Sequence, residues 1–260
     1  MKTELLGVEI DALSFHETVD RVRAAMRRRQ PMHHVSVNVA KLVKMRSDPI
    51  LRDDVLSSDI ASADGMGIIF ASRLLKVPLK ERVAGIDLMD AVLGVSAEEG
   101  FRPYFLGAKD DVVEQAAERA KARHPNLAFS GLHDGYFSKE EEPMIVEDIA
   151  RSRADCLFIG MPTPRKERFL NAHKNELNVP LIMGVGGSFD VMAGITKRAP
   201  LWMQRAGLEW LYRIWQEPRR MWYRYASTNT AFAWLLVVEF ARLAWRKLPQ
   251  VGRRQTRPQA

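Results

Sequence analysis

The chain has 260 residues, 47% of them hydrophobic, a formal net charge of +7 and a single cysteine. That is enough apolar material for one large domain, or one domain with an appendage, and it excludes an intrachain disulfide framework, as suits a reducing compartment. The charge is uneven: from Lys197 onward 13 Lys and Arg stand against 3 Asp and Glu, a net of +10, so residues 1–196 sum to −3.

Met1-Lys2-Thr3-Glu4 opens no apolar signal stretch, so the body is expected in the cytosol. Leu5–Ile10 reads as a short strand. Ser14-Phe-His-Glu17 is a capping-box pattern for a helix that ends in Arg27-Arg28-Arg29. A strand over His33–Val39 leads into a short helix and a turn at Ser47-Asp48-Pro49. Asp59–Ala63 reads as strand and Gly67–Leu75 as helix. Asp87–Glu99 is helical and stops at Gly100. Pro103–Leu106 is a strand, Asp110–Arg123 a helix, and Leu127–Leu132 a strand. Ser138-Lys-Glu-Glu141 caps a helix that runs to about Arg153. Asp155–Ile159, with the buried Cys156, is a strand. Pro164–Asn175 is a helix and Pro180–Val185 a strand. Several strands are continuous apolar runs that alternate with helices, the pattern of a parallel sheet covered on both faces.

From Pro200 on, only helical patterns remain. All six tryptophans (Trp202, Trp210, Trp215, Trp222, Trp234 and Trp245) lie in this basic tail. Indoles and arginines favour the boundary between water and lipid headgroups, and guanidinium pairs well with phosphate. No stretch reaches the roughly 20 apolar residues of a spanning helix. Ala231–Trp245 comes nearest, interrupted by Glu239 and Arg242. These two share a helical stripe with Arg246, which suits a helix lying in the plane of an anionic membrane. Packing on its own domain or on a second subunit is the alternative. The expected division is a catalytic body over 1–196, a helical appendage over 197–248 and a disordered end over 249–260.

In an open parallel sheet, ligands bind beyond the carboxyl ends of the strands. There the sequence gathers Ser36 and Asn38, Asp64-Gly65-Met66-Gly67, Gly107, Tyr136, Pro164-Arg165-Lys166 and Gly186-Gly187-Ser188-Phe189-Asp190. Asp64 is the best candidate for a working carboxylate; capping the next helix is its other role. Ser36 and Asn38 are two apart on a strand, so both reach one ligand or both tie down a loop. Arg165 and Lys166 are surface charges or, in a helix's first turn, phosphate contacts. There is no Walker A sequence, no Gly-x-Gly-x-x-Gly after the first strand, no His-Glu-x-x-His and no Asp-x-Asp. His33 and His34 point to opposite strand faces and do not share a metal. A nicotinamide-dependent oxidoreductase lacks its phosphate fingerprint here. A bare membrane or nucleic-acid module leaves the strand-end residues without purpose, and clustered Trp favours lipid over nucleic acid.

Together, these residues resemble the WecG/TagA/CpsF family of bacterial glycosyltransferases (glycosyltransferase family 26) over roughly residues 5–225. The match is strongest at Gly186-Gly187-Ser188-Phe189-Asp190, Ala193-Gly194, Lys197-Arg198-Ala199-Pro200, Trp202, Gly207-Leu208-Glu209-Trp210, Arg213, Glu217-Pro218-Arg219-Arg220 and Arg224-Tyr225. The resemblance implies a Rossmann-like body whose C-terminal appendage closes the site at the inner face of the cytoplasmic membrane. It implies a UDP-sugar donor, typically UDP-N-acetylmannosamine, a polyprenyl-pyrophosphate-linked acceptor and inversion. It makes Asp64 the base. Ser36 and Asn38 hold hydroxyls, Gly186, Gly187 and Asp190 receive uridine, and Gly107 and Tyr136 line the substrate cleft. Lys166 with Arg213, Arg219, Arg220 and Arg224 meets phosphate. No cofactor or metal is expected, and a homo-oligomer burying the apolar tail is a further arrangement. The family commonly reads Pro-Lys-Gln-Glu where this chain has Pro164-Arg165-Lys166-Glu167, so a cation stands in place of Gln.

Overall fold

Alternating apolar and amphipathic stretches become eight strands and twelve helices among the described residues of the computed structural model, which cover 2–247 without the side chains of Arg220, Arg246 and Lys247. The end over 249–260 lies outside them.

β1 (Lys2–Leu5) and β2 (Val8–Asp11) form an antiparallel hairpin where the sequence suggests one strand. The chain reverses at Leu6-Gly7, both at positive φ, which glycine adopts freely and which an apolar run conceals. α1 (Phe15–Arg28) starts at the expected capping box, with Ser14 and Glu17 each bonded to the other's backbone N–H. β3 (Met32–Val37) and α2 (Val39–Ser47) follow. The expected turn stands at Asp48, between α2 and an unforeseen α3 (Pro49–Leu56), which starts because Asp48 accepts from Leu51 N at 2.9 Å and Pro49 occupies the first turn. Next come β4 (Ile60–Ala63), α4 (Met66–Leu74), α5 (Gly85–Glu99), β5 (Pro103–Gly107) and α6 (Asp110–Arg123). β6 (Gly131–His133) is shorter than expected, and Leu127 is spent in the core instead. α7 (Glu142–Ser152), β7 (Cys156–Gly160), α8 (Arg165–His173), β8 (Leu181–Gly184) and a short α9 (Ser188–Met192) complete the body.

The main sheet is parallel throughout, in the order β4-β3-β8-β7-β5-β6. On one face Phe105, Phe158 and Met183 pack with residues of α1, α5 and α6. On the other, Val35, Val37 and Ala63 meet α2 and α3, while Leu106, Leu157 and Ile182 meet α7 and α8. Apolar side chains on alternate faces of one strand require helices on both sides, and the chain supplies them.

The appendage consists of α10 (Leu201–Arg205), α11 (Glu209–Gln216) and α12 (Pro218–Lys247). α12 lays Phe232, Leu235 and Leu236 against the α2–α3 core. Trp234, Val237, Ala241 and Trp245 recur at helical spacing on another face and are exposed, Trp245 by 79%. The helix therefore does both things its sequence allows: it packs on its own body and turns a bare apolar stripe outward. Among the described residues no helix is long and apolar enough to cross a membrane.

Candidate functional site

The strand order sets β4, β3 and β8 side by side, so Asp64, Asn38 and the 184–188 turn emerge on the same rim. Asp64 N donates to Val37 O at 2.9 Å, and Val83 N donates to Ala63 O at 2.9 Å. The second bond folds the loop after α4 back along β4 and delivers Arg82 and Gly85 to the carboxylate. Asp64 does not cap α4, whose N-cap, Gly65, has no side-chain bond. Its carboxylate instead takes the Gly85 N–H at the start of α5. Burial, then the nearby Glu209 charge, lifts Asp64 to about 6; Arg82, the Gly85 N–H and Arg213 pull the other way without winning. A carboxyl poised there is a base near neutral pH.

Ser36 stands beside it. A Cβ on Gly85 would lie 3.0 Å from Ser36 Oγ and 3.8 Å from Asp64 Oδ2, so Gly85 leaves room for both side chains at one spot. Ser36 is buried, and its Oγ has no hydrogen-bond partner. A buried hydroxyl left unbonded is costly, and a ligand hydroxyl at Asp64 would satisfy it. Asn38, expected two places along the same strand, lies just beyond β3 as the N-cap of α2, where its side chain accepts from Lys41 N at 2.9 Å. Its carbonyl is committed to the helix.

The appendage completes the rim. Glu209 and Arg213 are one turn apart on α11, and both act on Asp64 by charge. Arg82 pairs with Glu209 at 3.3 Å and with Asp87 at 3.7 Å, and donates to Gln204 Oε1 at 3.4 Å. Arg198 grips both oxygens of Asp87, through Nη2 at 2.7 Å and through Nη1. Between these groups lies a pocket of about 200 Å³ lined by Met66, Arg82, Asp87, Arg198, Leu201, Gln204 and Arg205.

Lys166 differs from its expectation. It is buried on the α7–α8 side, its stem against Gly184 and its Nζ 3.3 Å from Glu167 Oε1. Lys41 Nζ reaches the same oxygen at 2.9 Å, and Thr163 Oγ1 donates to it at 3.1 Å. One carboxylate thus serves two buried cations. Burial, then Lys41, pushes Lys166 down to about 8. Burial would raise Glu167, but Lys41 and Lys166 outweigh it and hold the acid at about 2. Arg165 donates to Phe137 O and lies over the Phe137 ring.

The remaining expected residues spread along the rim. Gly186, at φ 54°, and Gly187 form the turn into α9, and Asp190 Oδ2 folds back toward Gly187. Gly107, at φ 120°, is demanded by packing: a Cβ there would sit 2.8 Å from Gly160 N. Tyr136 is exposed, and its neighbour Gly135 donates from its N–H to Ala108 O at 2.9 Å, which folds this loop back over the end of β5. The structure does not bring Tyr136 to the carboxylate. Arg219 and Arg224 are exposed, Arg224 lying near Tyr225, which also feels Asp64. The Arg220 side chain lies outside the described residues. His34 Nε2 pairs with Ser62 Oγ at 2.9 Å, while the His33 backbone N–H donates to Asp59 Oδ2 at 2.7 Å and burial lowers its imidazole to about 4. Among the described residues no three His, Cys, Asp or Glu converge as a metal site. Sequence reading missed Arg82, Gly85 and Asp87. No local pattern marks them, and only the fold-back along β4 brings them in.

A family model described as the glycosyl transferase WecG/TagA/CpsF family matches residues 3–246. The chain is similar to an N-acetylglucosaminyldiphosphoundecaprenol N-acetyl-beta-D-mannosaminyltransferase of Bacillus subtilis (strain 168), 37% identical over 175 residues, 67% of each chain. It is also similar to the enzyme of that name from Staphylococcus aureus (strain MW2), 32% identical over 222 residues, 85% of this chain and 87% of the relative. A dehydrogenase or a bare binding module does not account for a match of this length. It takes in the rim, the fold-back loop and the helices that close over Asp64, and by that measure the chain belongs to the WecG/TagA/CpsF family of glycosyl transferases.

Proposed function

We propose that the protein transfers an N-acetylmannosamine-type sugar, or another hexose, from a UDP-sugar to a polyprenyl-diphosphate-linked N-acetylglucosamine, with inversion and without a metal, in surface-polysaccharide synthesis. One observation carries this reading: a carboxyl lifted to about 6 at the strand rim, near an unbonded buried hydroxyl and within reach of the charges of Arg82 and Arg213. The acceptor hydroxyl gives its proton to Asp64 as its oxygen bonds to the donor's anomeric carbon. The bond from that carbon to the diphosphate breaks on the opposite face, and its electron pair leaves with UDP. Asp64 then loses the proton to solvent. Arg213 and Arg82, which both interact with the Asp64 charge, take up charge on the departing diphosphate in this reading, a role that fixed cations perform without reorganisation. The names of the relatives support the acceptor and the sugar. The bare stripe of Trp234, Val237 and Trp245 beside a basic tail supports peripheral seating on the inner face of an anionic membrane. Without lipid, the same stripe suits association of two copies.

The test is to incubate the full chain with a panel of UDP-sugars and the lipid-diphosphate acceptor in anionic vesicles, then weigh the products. A single added N-acetylhexosamine is expected, with the same yield in EDTA. A loss restored by magnesium or manganese would overturn metal independence, and no transfer from any UDP-sugar would overturn the donor class. Ser36→Ala should melt at the same temperature as the parent or higher, since it removes an unbonded buried hydroxyl, and should lose roughly tenfold in kcat/KM if that hydroxyl bonds substrate. Unchanged kcat/KM would place Ser36 outside the reaction.

A further inference from the structure

The base lies in the body, but much of its electrostatic surroundings belongs to the appendage. Five charged or titratable groups lie near enough to interact with the Asp64 charge. Arg82 comes from the fold-back loop and Arg198 from the segment before α10. Glu209 and Arg213 come from α11, and Tyr225 from α12. The α5 terminus adds the Gly85 N–H. Glu209 is the one acid among them. It lies in the first turn of α11, and it touches the body through Arg82, at 3.3 Å. Arg82 is in turn divided between Asp87 of α5 and Gln204 of α10. An arginine shared in this way has three competing acceptors; two of them, on α10 and α11, draw it toward the appendage, and only the one on α11 is charged. If the Glu209 carboxylate were absent, Arg82 would be free to turn further toward Asp64.

We propose that Glu209 is a positioning residue for the transfer reaction: by holding Arg82 and presenting its own negative charge, it keeps Asp64 from being neutralised by the arginines around it, so that seating of the C-terminal helices sets the pH range in which the base works. This inference rests on the reading of Asp64 as the base. Two effects of Glu209 act in the same direction. Its charge opposes a second charge on Asp64, and its grip on Arg82 limits the cation that acts most strongly on that carboxyl. A bare arginine cluster would bind diphosphate more tightly but leave the carboxylate too weak a base. An acid placed in the appendage separates these demands: the arginines stay, and the base stays strong only while α11 is docked.

The test is Glu209→Gln in the full chain. Glutamine is isosteric and still accepts from Arg82, so docking of α11 is kept while the charge is removed. Asp64 should titrate lower by roughly half to one pH unit, read from its carboxyl carbon by NMR with Asp64→Asn to assign the signal. The acidic limb of kcat/KM should move down by the same interval, while plateau kcat falls as the weaker base takes up the proton less readily. Glu209→Ala, which loses the contact to Arg82 as well, should show at least the same displacement and a larger fall in the plateau. A carboxyl titration of Glu209→Gln that superimposes on the parent's would overturn the role given to Glu209. A titration that moves while transfer in the parent proves independent of Asp64 would leave the electrostatic coupling standing and sink the assignment of the base instead.

Discussion

Asp64→Asn should fold normally and transfer sugar roughly 10²–10⁴-fold more slowly than the parent, the loss expected when a general base is removed. Asparagine has the same shape and can still accept the Gly85 N–H, so only the capacity to take a proton disappears. The parent's rate should fall as pH drops through about 6, where the carboxyl becomes protonated. Stability should move the opposite way. The folded state holds this carboxyl above its ordinary 3.8, so its charge destabilises the fold; the penalty is complete above about 6 and gone below the unfolded value. Asp64→Asn should therefore melt higher than the parent at pH 7–8, with the difference vanishing by about pH 4. Paired kcat/KM profiles and thermal melts across that range check both halves. Near-parental turnover by the variant would remove Asp64 as the base, and a lower melting temperature at pH 8 would contradict the strained carboxylate.

The second large effect is on stability alone. Glu167→Gln should destabilise the protein by roughly 3–5 kcal/mol, because it strands Lys41 and Lys166 in a buried site. The melting temperature should drop by on the order of 10 °C. Lys166→Met should cost less than about 1.5 kcal/mol, since it leaves Lys41 and Glu167 matched one to one and keeps an unbranched stem against Gly184. The contrast is measured by urea unfolding of the two variants and the parent. Equal losses would mean that both lysines are needed to hold the acid. The contribution of Glu167 also has a defined pH dependence: its acid is held low in the fold, so the stabilisation is full above about 4.5 and is lost as pH falls toward 2. If Lys166→Met abolishes transfer while leaving stability intact, the buried cation has a role toward substrate that its ion pair conceals.

Most of the sheet was legible because its strands are continuous apolar runs, and an Asp after one of them stands out. Asp64 and Ser36 could be picked from the strand ends, since a parallel sheet fixes which end carries the chemistry. What stayed hidden arises from contacts between distant segments. Gly85 and Arg82 lie in a loop with no motif, and only its bond along β4 brings them to the site. Lys166 read as a first-turn surface cation because local sequence says nothing of Lys41, which comes from another helix to share Glu167. The Leu6-Gly7 reversal was masked by apolar neighbours. α3 was masked because Asp-Pro signals a turn and a helix start alike. Gly107 and Tyr136 read as substrate contacts because they follow strands, but strand order, which sequence does not specify, sets β5 and β6 toward the far edge of the sheet from β4.

That strand order has a consequence for biosynthesis. β3 is flanked by β4 and β8, and Met32 finds its partner Leu181 only after 149 further positions have been made. At about 5–20 residues per second, a nascent chain carries one open edge of β3 for roughly 7–30 s. Unpaired edges are where chains aggregate, so changes that weaken β8 should first lower the yield of soluble protein during expression, before any defect in purified enzyme is seen.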